Sequence, residues 1–217
     1  MEKDWVLKTL LFDTLPSTQV YLKERVKNKT IQLPVAVVSE IQTKGIGSRE
    51  NSWTSKKGNL FLSFAIPIKD LPADLKIESA SLYFSYLLQD SFNFFGSKAW
   101  LKWPNDIYVD KKKIAGMITT VVHDILICGV GVNLKHVSNS FGVLDLDIDK
   151  ERILEYFFKN VEKKISWKQV FSKYKLNFYD KQKIFTHIND EIVSLDKAVL
   201  EDDGSLSING QRIYSLR

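Results

Sequence analysis

Cysteine, histidine and long apolar runs are scarce in this sequence, and each shortage excludes a class of protein. A single cysteine, Cys128, stands in 217 residues, so no disulfide can form within the chain and a reducing compartment is expected. The three histidines, His123, His136 and His187, lack the spacing of metal ligands. No apolar run approaches the roughly 20 residues of a membrane span, and the N-terminal residues lack a secretory signal pattern. We therefore expect a cytoplasmic protein.

The composition is that of an ordinary globular chain, with 44% hydrophobic and 26% charged residues. A chain of this length supports one core and a small appendage. Lys and Arg number 31 against 26 Asp and Glu, which gives a net charge of +5. This mild surplus favours an acidic protein partner, a nucleotide or a nucleic acid without identifying which.

Apolar spacing and turn residues predict a mixture of helices and strands. Helices are predicted from Ser17 onward, over residues 77–95, and as a pair divided near Ser166. Strands are predicted over residues 35–41, 59–66, 99–103, 114–122 and 125–132. Because strands and helices do not alternate strictly, we predict an α+β fold with a mixed sheet flanked by helices.

Beyond residue 181 the sequence changes to short alternating segments separated by turn signals. Asp203-Gly204 and Asn209-Gly210 are the turn pairs between predicted strands 198–201, 205–208 and 212–216. This change of pattern predicts a main domain over residues 1–180 and a small C-terminal β domain over residues 181–217.

A polar loop is predicted between Gln42 and Trp53, with two glycines one residue apart. Gly45 and Gly47 allow backbone N–H groups to converge on an anion, and Arg49 adds donors. The loop is neither a Walker loop nor a dinucleotide fingerprint, because the required lysine or third glycine is missing. Taken alone, it is more often a surface turn.

Two further segments carry polar or small residues where strands should continue. Pro104 should end the strand before it and leave Lys102 at the strand end, where a lysine suits an anion. Asn105-Asp106, in contrast, also fits a simple turn. The small residues of the segments 113–117 and 129–133 permit a ligand to lie close to the backbone, although tight packing explains them equally well.

In this order and at these spacings, the segments resemble those of biotin protein ligases. The matches are the Ser-Thr pair at Ser17-Thr18, the glutamine at Gln42 before the glycine loop, Lys-Trp-Pro-Asn-Asp at 102–106, Lys-Ile-Ala-Gly at 113–116 and Gly-x-Gly-x-Asn at 129–133. The likeness covers the chain from about Phe12 to Asn133. Residues 203–206 and 215–217 resemble part of that family's small C-terminal domain.

The resemblance implies a class II synthetase-like catalytic domain, with a reduced SH3-like domain after it. It also implies a two-step reaction, in which biotin and ATP with Mg²⁺ form biotinyl-5′-AMP and a lysine of a carrier domain then receives the biotin. The implied partner is the biotin carboxyl carrier protein of acetyl-CoA carboxylase. The resemblance does not assign the residues that would hold Mg²⁺, and it fits either a monomer or a homodimer.

The resemblance also implies roles for individual residues. Lys102 and Arg49 would be catalytic, with Lys102 between the biotin carboxylate and the α-phosphate. The residues implied in biotin binding are Ser17, Thr18, Gln42, Gly45, Gly47, Ser48, Lys102 and Gly116. Those implied in binding ATP or the adenylate are Arg49, Asn51, Trp53, Asn105, Lys113, Asn133 and Phe141.

Two departures from the family pattern qualify these expectations. The family loop is commonly Gly-Arg-Gly-Arg, whereas here only Arg49 follows the glycines, one place late, and we expect it to take over the phosphate contact. About sixteen residues precede Ser17, so no DNA-binding domain is expected and the protein should be a monofunctional ligase. The alternatives are a lipoate or octanoate ligase or transferase of the same superfamily and a non-catalytic biotin-binding module.

Overall fold

The computed structural model describes residues 7–48, 51–180, 185–188, 191–196 and 198–214. The main strands are β1 (Lys8–Leu15), β2 (Val35–Gln42), β3 (Leu60–Pro67), β4 (Trp100–Lys102), β5 (Asp106–Val109), β6 (Lys112–Val122) and β7 (Ile125–Val132). The helices are α1 (Thr18–Lys27), α2 (Ala80–Phe94), α3 (Lys150–Glu162) and α4 (Trp167–Asp180), with single 3-10 turns at Ile68–Asp70 and Ile77–Ser79. In these described ranges, no helix has both the length and the apolar character needed to span a bilayer.

Seven strands form one mixed sheet in the order β1-β2-β3-β7-β6-β5-β4. Strands β1 and β2 are parallel, and the neighbours from β2 through to β4 are antiparallel. The β6–β7 hairpin turns at His123, whose φ of 53° is the left-handed value that such a tight turn needs. The predicted α+β fold with a mixed sheet flanked by helices is confirmed.

The two faces of the sheet are covered differently. Along β2, Val35 and Val37 pack with Leu22 of α1 on one face. Ala36 and Val38 point the other way, into a larger cluster with α2, α3 and α4. Helix α1 lies across β2, β3 and β7. On the same face of the sheet, β6 and the C-terminal end of β7 border the cavity described below.

Side-chain caps begin two of the helices where the sequence predicts them. Ser17 precedes α1, and its Oγ accepts a hydrogen bond from Val20 N at 3.4 Å. Ser166 does the same for α4, accepting from Gln169 N at 3.3 Å. Asp74 reinforces the start of α4 because its two carboxylate oxygens accept the Trp167 and Lys168 amides at 2.9 and 3.0 Å.

Two strands of the sheet were not predicted. Strand β1 lies at the sheet edge and is mostly exposed, with Leu11 77% exposed, so its sequence lacks a clear buried face. Strand β5 begins at Asp106, so the alternative of a turn over Asn105-Asp106 holds only for Asn105, where the turn ends. The helix predicted from residue 77 starts as a 3-10 turn and becomes α-helical at Ala80.

A small three-stranded sheet follows, made of β10 (Val199–Leu200), β11 (Leu206–Ile208) and β12 (Gln211–Ile213), with a separate pair β8 (Phe185–Ile188) and β9 (Glu191–Ser194). Gly204, Asn209 and Gly210 have positive φ at the predicted turns. Apolar residues of this sheet and of the segment just before it share the large cluster with the helices: Leu195, Ala198, Leu200, Leu206 and Ile208. Residues 181–184 and 215–217 lie outside the described residues, and the domain boundary near residue 180 stays a prediction.

Candidate active site

A cavity of about 320 Å³ lies on the α1 face of the sheet, at the lower end of the about 300–1,000 Å³ typical of small-molecule sites. The first turn of α1, the glycine loop and the strands β5 to β7 form its walls. The predicted site residues that line it are Ser17, Thr18, Gln42, Gly47, Ser48, Asn51, Trp53, Asn105, Lys113, Gly116 and Phe141. Gly45, Lys102 and Asn133 lie outside this lining, and Arg49 falls outside the described residues.

One end of the cavity is polar and uncharged. The Oε1 of Gln42 accepts hydrogen bonds from Thr18 N at 2.8 Å and Thr18 Oγ1 at 3.1 Å. The same hydroxyl lies 2.9 Å from Ser63 Oγ, and both Thr18 and Ser63 are buried. Because Oε1 is held by Thr18, the amide orientation is fixed and Nε2 is presented as a donor. This end suits a neutral ligand rich in hydrogen-bonding groups.

Gln19 and Ser63 are site residues that the sequence analysis missed. Gln19 is 5% exposed, and its Nε2 donates to Ile127 O at 3.4 Å. Its Oε1 is buried and has no hydrogen-bond partner within the described part of the chain. A buried acceptor left unpaired costs about 1–3 kcal/mol, so a donor that pairs with this atom would be favourable. Gln19 follows the Ser-Thr pair in the first turn of α1, and that position was the available signal.

The two sides of the glycine loop are held together by backbone hydrogen bonds. Trp53 N donates to Gly45 O at 2.9 Å, and Gly47 N donates to Asn51 O at 2.6 Å. A Cβ at position 45 would lie 2.6 Å from Trp53 O, so only glycine permits this close approach. Gly45 therefore shapes the loop from behind the cavity lining. The role predicted for Arg49 stays a prediction.

The indole of Trp53 lies directly over β7. A Cβ at Gly131 would be 2.3 Å from Trp53 Cε2, and one at Gly129 would be 2.7 Å from Gln19 Oε1. Trp53 Nε1 is buried and lacks a hydrogen-bond partner among the residues that the structure describes. The two glycines of β7 thus provide the space in which Gln19 and Trp53 reach the cavity.

A second region of the cavity wall carries charge. Lys113 Nζ lies 2.6 Å from Asp106 Oδ1 and 5.6 Å from the centre of the Trp53 ring. A Cβ at Gly116 would come within 3.2 Å of both charged side chains, so glycine makes room for this ion pair. The pair places a cation and its partner carboxylate where an anionic part of a ligand would meet the protein.

Lys102 is beside this ion pair rather than on the cavity wall. It ends β4, faces Asp106 in the ladder, and holds its Nζ 5.2 Å from the Tyr108 ring centre. Burial lowers the pKa of Lys102, and Lys113 lowers it further, while Asp106 opposes both. Burial and Asp106 together raise the pKa of Tyr108 to about 12. Lys102 is therefore a half-buried cation at the margin of the site.

The predicted adenylate residues occupy different surroundings. Asn105 is buried, and its side chain donates to Met117 O while its carbonyl accepts from Met117 N at 3.1 Å. Asn133 is also buried and donates from Nδ2 to Gly142 O at 3.1 Å, which fixes the segment after Phe141. Phe141 itself is 38% exposed at the cavity margin.

The described residues contain no group of three or more His, Cys, Asp or Glu side chains that could hold a metal ion. Asp106, the carboxylate on the cavity wall, is already paired with Lys113. Burial raises the pKa of the Cys128 thiol well above its usual range, which excludes it as a ready nucleophile.

A larger groove of about 930 Å³ lies between β1 and α3. Leu11, Leu154 and Phe158 are among its apolar walls, and acidic residues of α3 surround them. None of the described site residues predicted from the sequence borders this groove. The smaller cavity is therefore the candidate active site.

Comparisons with known proteins agree on one family. A family model described as the Biotin/lipoate A/B protein ligase family matches residues 11–134. The bifunctional ligase/repressor BirA of Bacillus subtilis strain 168 is 30% identical over 135 residues, which cover 59% of this chain and 41% of that protein. Biotin–protein ligase 2 of Arabidopsis thaliana is 30% identical over 150 residues, covering 60% and 46%. The chain thus spans less than half the length of these curated relatives.

Solved structures are similar over nearly the whole chain, and one of them is also close in sequence. It is the crystal structure of biotin acetyl coenzyme A carboxylase synthetase from Helicobacter pylori with bound biotinylated ATP. The TM-score is 0.91 and the sequence identity is 39%, with 96% of this chain and 100% of that chain covered.

Proposed function

The chain belongs to the Biotin/lipoate A/B protein ligase family, and we propose that it uses ATP to attach biotin to a lysine of a biotin carboxyl carrier protein. In the first step, a biotin carboxylate oxygen attacks the α-phosphorus of ATP, which gives biotinyl-5′-AMP and releases pyrophosphate. In the second step, the neutral amine of the carrier lysine attacks the biotinyl carbonyl, an amide forms, and AMP leaves. The name of the Helicobacter pylori protein supports acetyl-CoA carboxylase as the source of the carrier.

The hydrogen-bonded cluster of Thr18, Gln42 and Ser63 is the observation that carries this proposal. The ureido ring of biotin is neutral and has one carbonyl acceptor and two N–H donors. Burying such a ring is favourable only where donors and acceptors match it. The cluster supplies both kinds of group at the uncharged part of the cavity, and Gln19 adds the unpaired acceptor Oε1.

The charged end of the cavity fits the reacting groups. A carboxylate and a triphosphate repel each other, so their approach needs nearby cations. We assign this role to Lys102, with Lys113 beside it on the cavity wall. Removing such a donor typically slows the reaction by about a hundred- to thousand-fold. Lys102→Met should therefore slow adenylate formation by about a hundred- to thousand-fold.

The nucleotide would extend from this end past Trp53 and Phe141. Trp53 provides an aromatic wall, and Phe141 is exposed enough to stack on an adenine ring. Asn133 acts indirectly, because its hydrogen bond to Gly142 holds the segment that carries Phe141. We assign Arg49, Gly47, Ser48 and Asn51 of the loop to closure over the carboxylate and phosphate.

Mg²⁺ enters this proposal as part of the nucleotide substrate. The donor set of the described residues does not fit a resident metal, since Asp106 is held by Lys113 and no carboxylate cluster accompanies it. The phosphate oxygens are then the principal ligands of the ion. We also assign the chemistry to residues 1–180 and treat residues 181–217 as a C-terminal β domain.

A mass measurement on a carrier domain tests the proposal. The protein is incubated with ATP, Mg²⁺, an apo carrier domain and either biotin or lipoate, with Lys102→Met as the matched control. A biotinyl-sized gain at one carrier lysine, absent with the control variant, is expected. No gain with either acid, or a gain with lipoate alone, would contradict it.

The second candidate is lipoate or octanoate attachment, because the matching family model includes both kinds of ligase. A lipoyl or octanoyl tail has no N–H donor and no urea carbonyl. It would leave Gln42 Nε2 and Gln19 Oε1 without a ligand partner, and a site built to hydrogen-bond its substrate rejects an analogue that lacks the matching groups by about 10⁴-fold or more. A non-catalytic biotin-binding module would bind biotin in the same assay without any gain in carrier mass.

A further inference from the structure

We propose that the C-terminal β-sheet takes part in adenylate formation by holding Trp103, and through Trp103 the adjacent Lys102, in the reactive position. Trp103 is thus a positioning residue, and the inference rests on the function proposed for Lys102. The link is a hydrogen bond from Trp103 Nε1 to the carbonyl of Gly204, at 2.9 Å.

Lys102 depends on such an anchor because of its place in the sheet. Strand β4 is only three residues long, forms the sheet edge and, among the residues that the structure describes, pairs with β5 alone. Its last ladder pair joins Lys102 to Asp106, and the chain leaves the sheet immediately afterwards. Trp103, which is 1% exposed, is therefore the next fixed point along the chain.

The turn that receives this hydrogen bond is itself rigid. Gly204 has φ of 77° between β10 and β11, and a Cβ there would be 2.8 Å from Leu82 of α2. Ser79 Oγ donates to Asp203 O at 2.5 Å. Arg212 donates to Asp203 Oδ2 at 2.9 Å and to Ser205 Oγ at 2.8 Å. The Gly204 carbonyl is thus fixed relative to α2 as well as to β12.

A second tryptophan provides a matched control. Trp167 Nε1 donates to Asp202 O at 2.8 Å, so it contacts the same turn with the same kind of bond. Trp167 begins α4 and is not next to a residue of the site. If the turn served only to stabilise the fold, losing either indole donor would have the same effect on the reaction. If Trp103 positions Lys102, only its replacement slows adenylate formation.

The test compares Trp103→Phe with Trp167→Phe in the full chain, by biotin-dependent exchange of pyrophosphate into ATP. Displacing a reacting group by about 1 Å can cost about a hundredfold, so we expect Trp103→Phe to lower kcat by about ten- to a hundredfold. The KM for biotin should stay within about twofold, because Thr18, Gln42 and Ser63 lie on other elements. Trp167→Phe should keep the kcat of the parent protein.

Equal kcat values for the two variants would overturn the inference, and so would a Trp103→Phe effect confined to KM. Should Trp103→Phe fail to fold, Arg212→Ala decides, because Arg212 holds Asp203 and Ser205 on either side of Gly204, whereas Trp167 bonds only to Asp202. A several-fold fall in kcat at constant KM then supports the inference, and an unchanged kcat overturns it. An inactive parent protein would instead contradict the proposed function.

Discussion

Replacing Gly131 by alanine is the sharpest test of how the cavity is built. The added Cβ would lie 2.3 Å from Trp53 Cε2, 2.5 Å from Cζ2 and 2.6 Å from Nε1. Carbon atoms pack at about 3.5–4.0 Å, so the indole must move by more than about 1 Å. The backbone of β7 cannot give way easily, because Gly131 pairs with Phe61 on one side and Gly116 on the other.

The expected effect is large on the reaction and moderate on stability. Overpacking of this kind costs about 1–3 kcal/mol of unfolding free energy. A misplacement of about 1 Å at a site wall can cost about a hundredfold in rate. Trp53 lies toward Lys113, so the loss should appear in ATP binding and adenylate formation. Binding of biotin alone, which involves Thr18 and Gln42, should change less.

Titration calorimetry with biotin and with a non-hydrolysable ATP analogue, together with pyrophosphate exchange, measures these effects. The matched control is Gly131→Ala in a Trp53→Ala background, where the added methyl group meets open space. The alanine should then cause little further loss, which gives a large coupling energy between the two positions. Unchanged nucleotide affinity and rate in the single variant, or simple additivity in the double variant, would refute the reasoning.

Three further predictions concern separate groups of the site. Adenylate formation should decline at alkaline pH as Lys102 loses its proton, at a pKa below the about 10.4 of an ordinary lysine. Asp106→Asn should move this decline to lower pH, because Asp106 raises the pKa of Lys102. A decline at the same pH in the variant would contradict this prediction. Thr18→Val should weaken biotin binding by about 10- to 100-fold in calorimetry, since two buried hydrogen bonds are lost. Thr18→Ser, which keeps the hydroxyl, should keep most of the affinity of the parent protein. Arg49→Ala should speed the escape of biotinyl-5′-AMP by about tenfold or more, because a hydrogen bond to a charged group is worth about 1.5–3 kcal/mol; unchanged retention would show that Arg49 does not replace the missing loop arginines.

The interior strands and the helices could be predicted from the sequence because their apolar periodicity is strong. Strand β7, for example, is buried on both faces and bounded by clear turns. Strand β1 shows the limit of this approach. Strand β1 belongs to the sheet because it pairs with β2. Apolar residues such as Leu11 are nevertheless exposed, so its sequence lacks the regular alternation of buried apolar and exposed polar residues that identifies a strand. Edge strands are held by their neighbour more than by their own sequence.

The sequence motifs identified most of the cavity wall but not the relations between side chains. Lys102 was predicted at the centre of the chemistry, and the structure places it beside the Lys113–Asp106 pair. Ser63 was missed because a serine within an apolar strand has no motif of its own. Its role depends on Thr18, which is 45 residues earlier in the chain. Such contacts follow from sheet register, which local patterns do not specify.

Strand β7 explains how one sheet supports both a core and a binding site. Its residues alternate between faces, so Ile127, Gly129 and Gly131 share the face of α1. Ile127 packs beneath the helix, and the two glycines follow at the first turn of the helix, where the cavity lies. On the other face, Cys128 and Val130 remain apolar and packed against the helices. The change from isoleucine to glycine along a single face therefore marks the boundary between the packed core and the candidate site. Any side chain added at either glycine would displace Gln19 or Trp53.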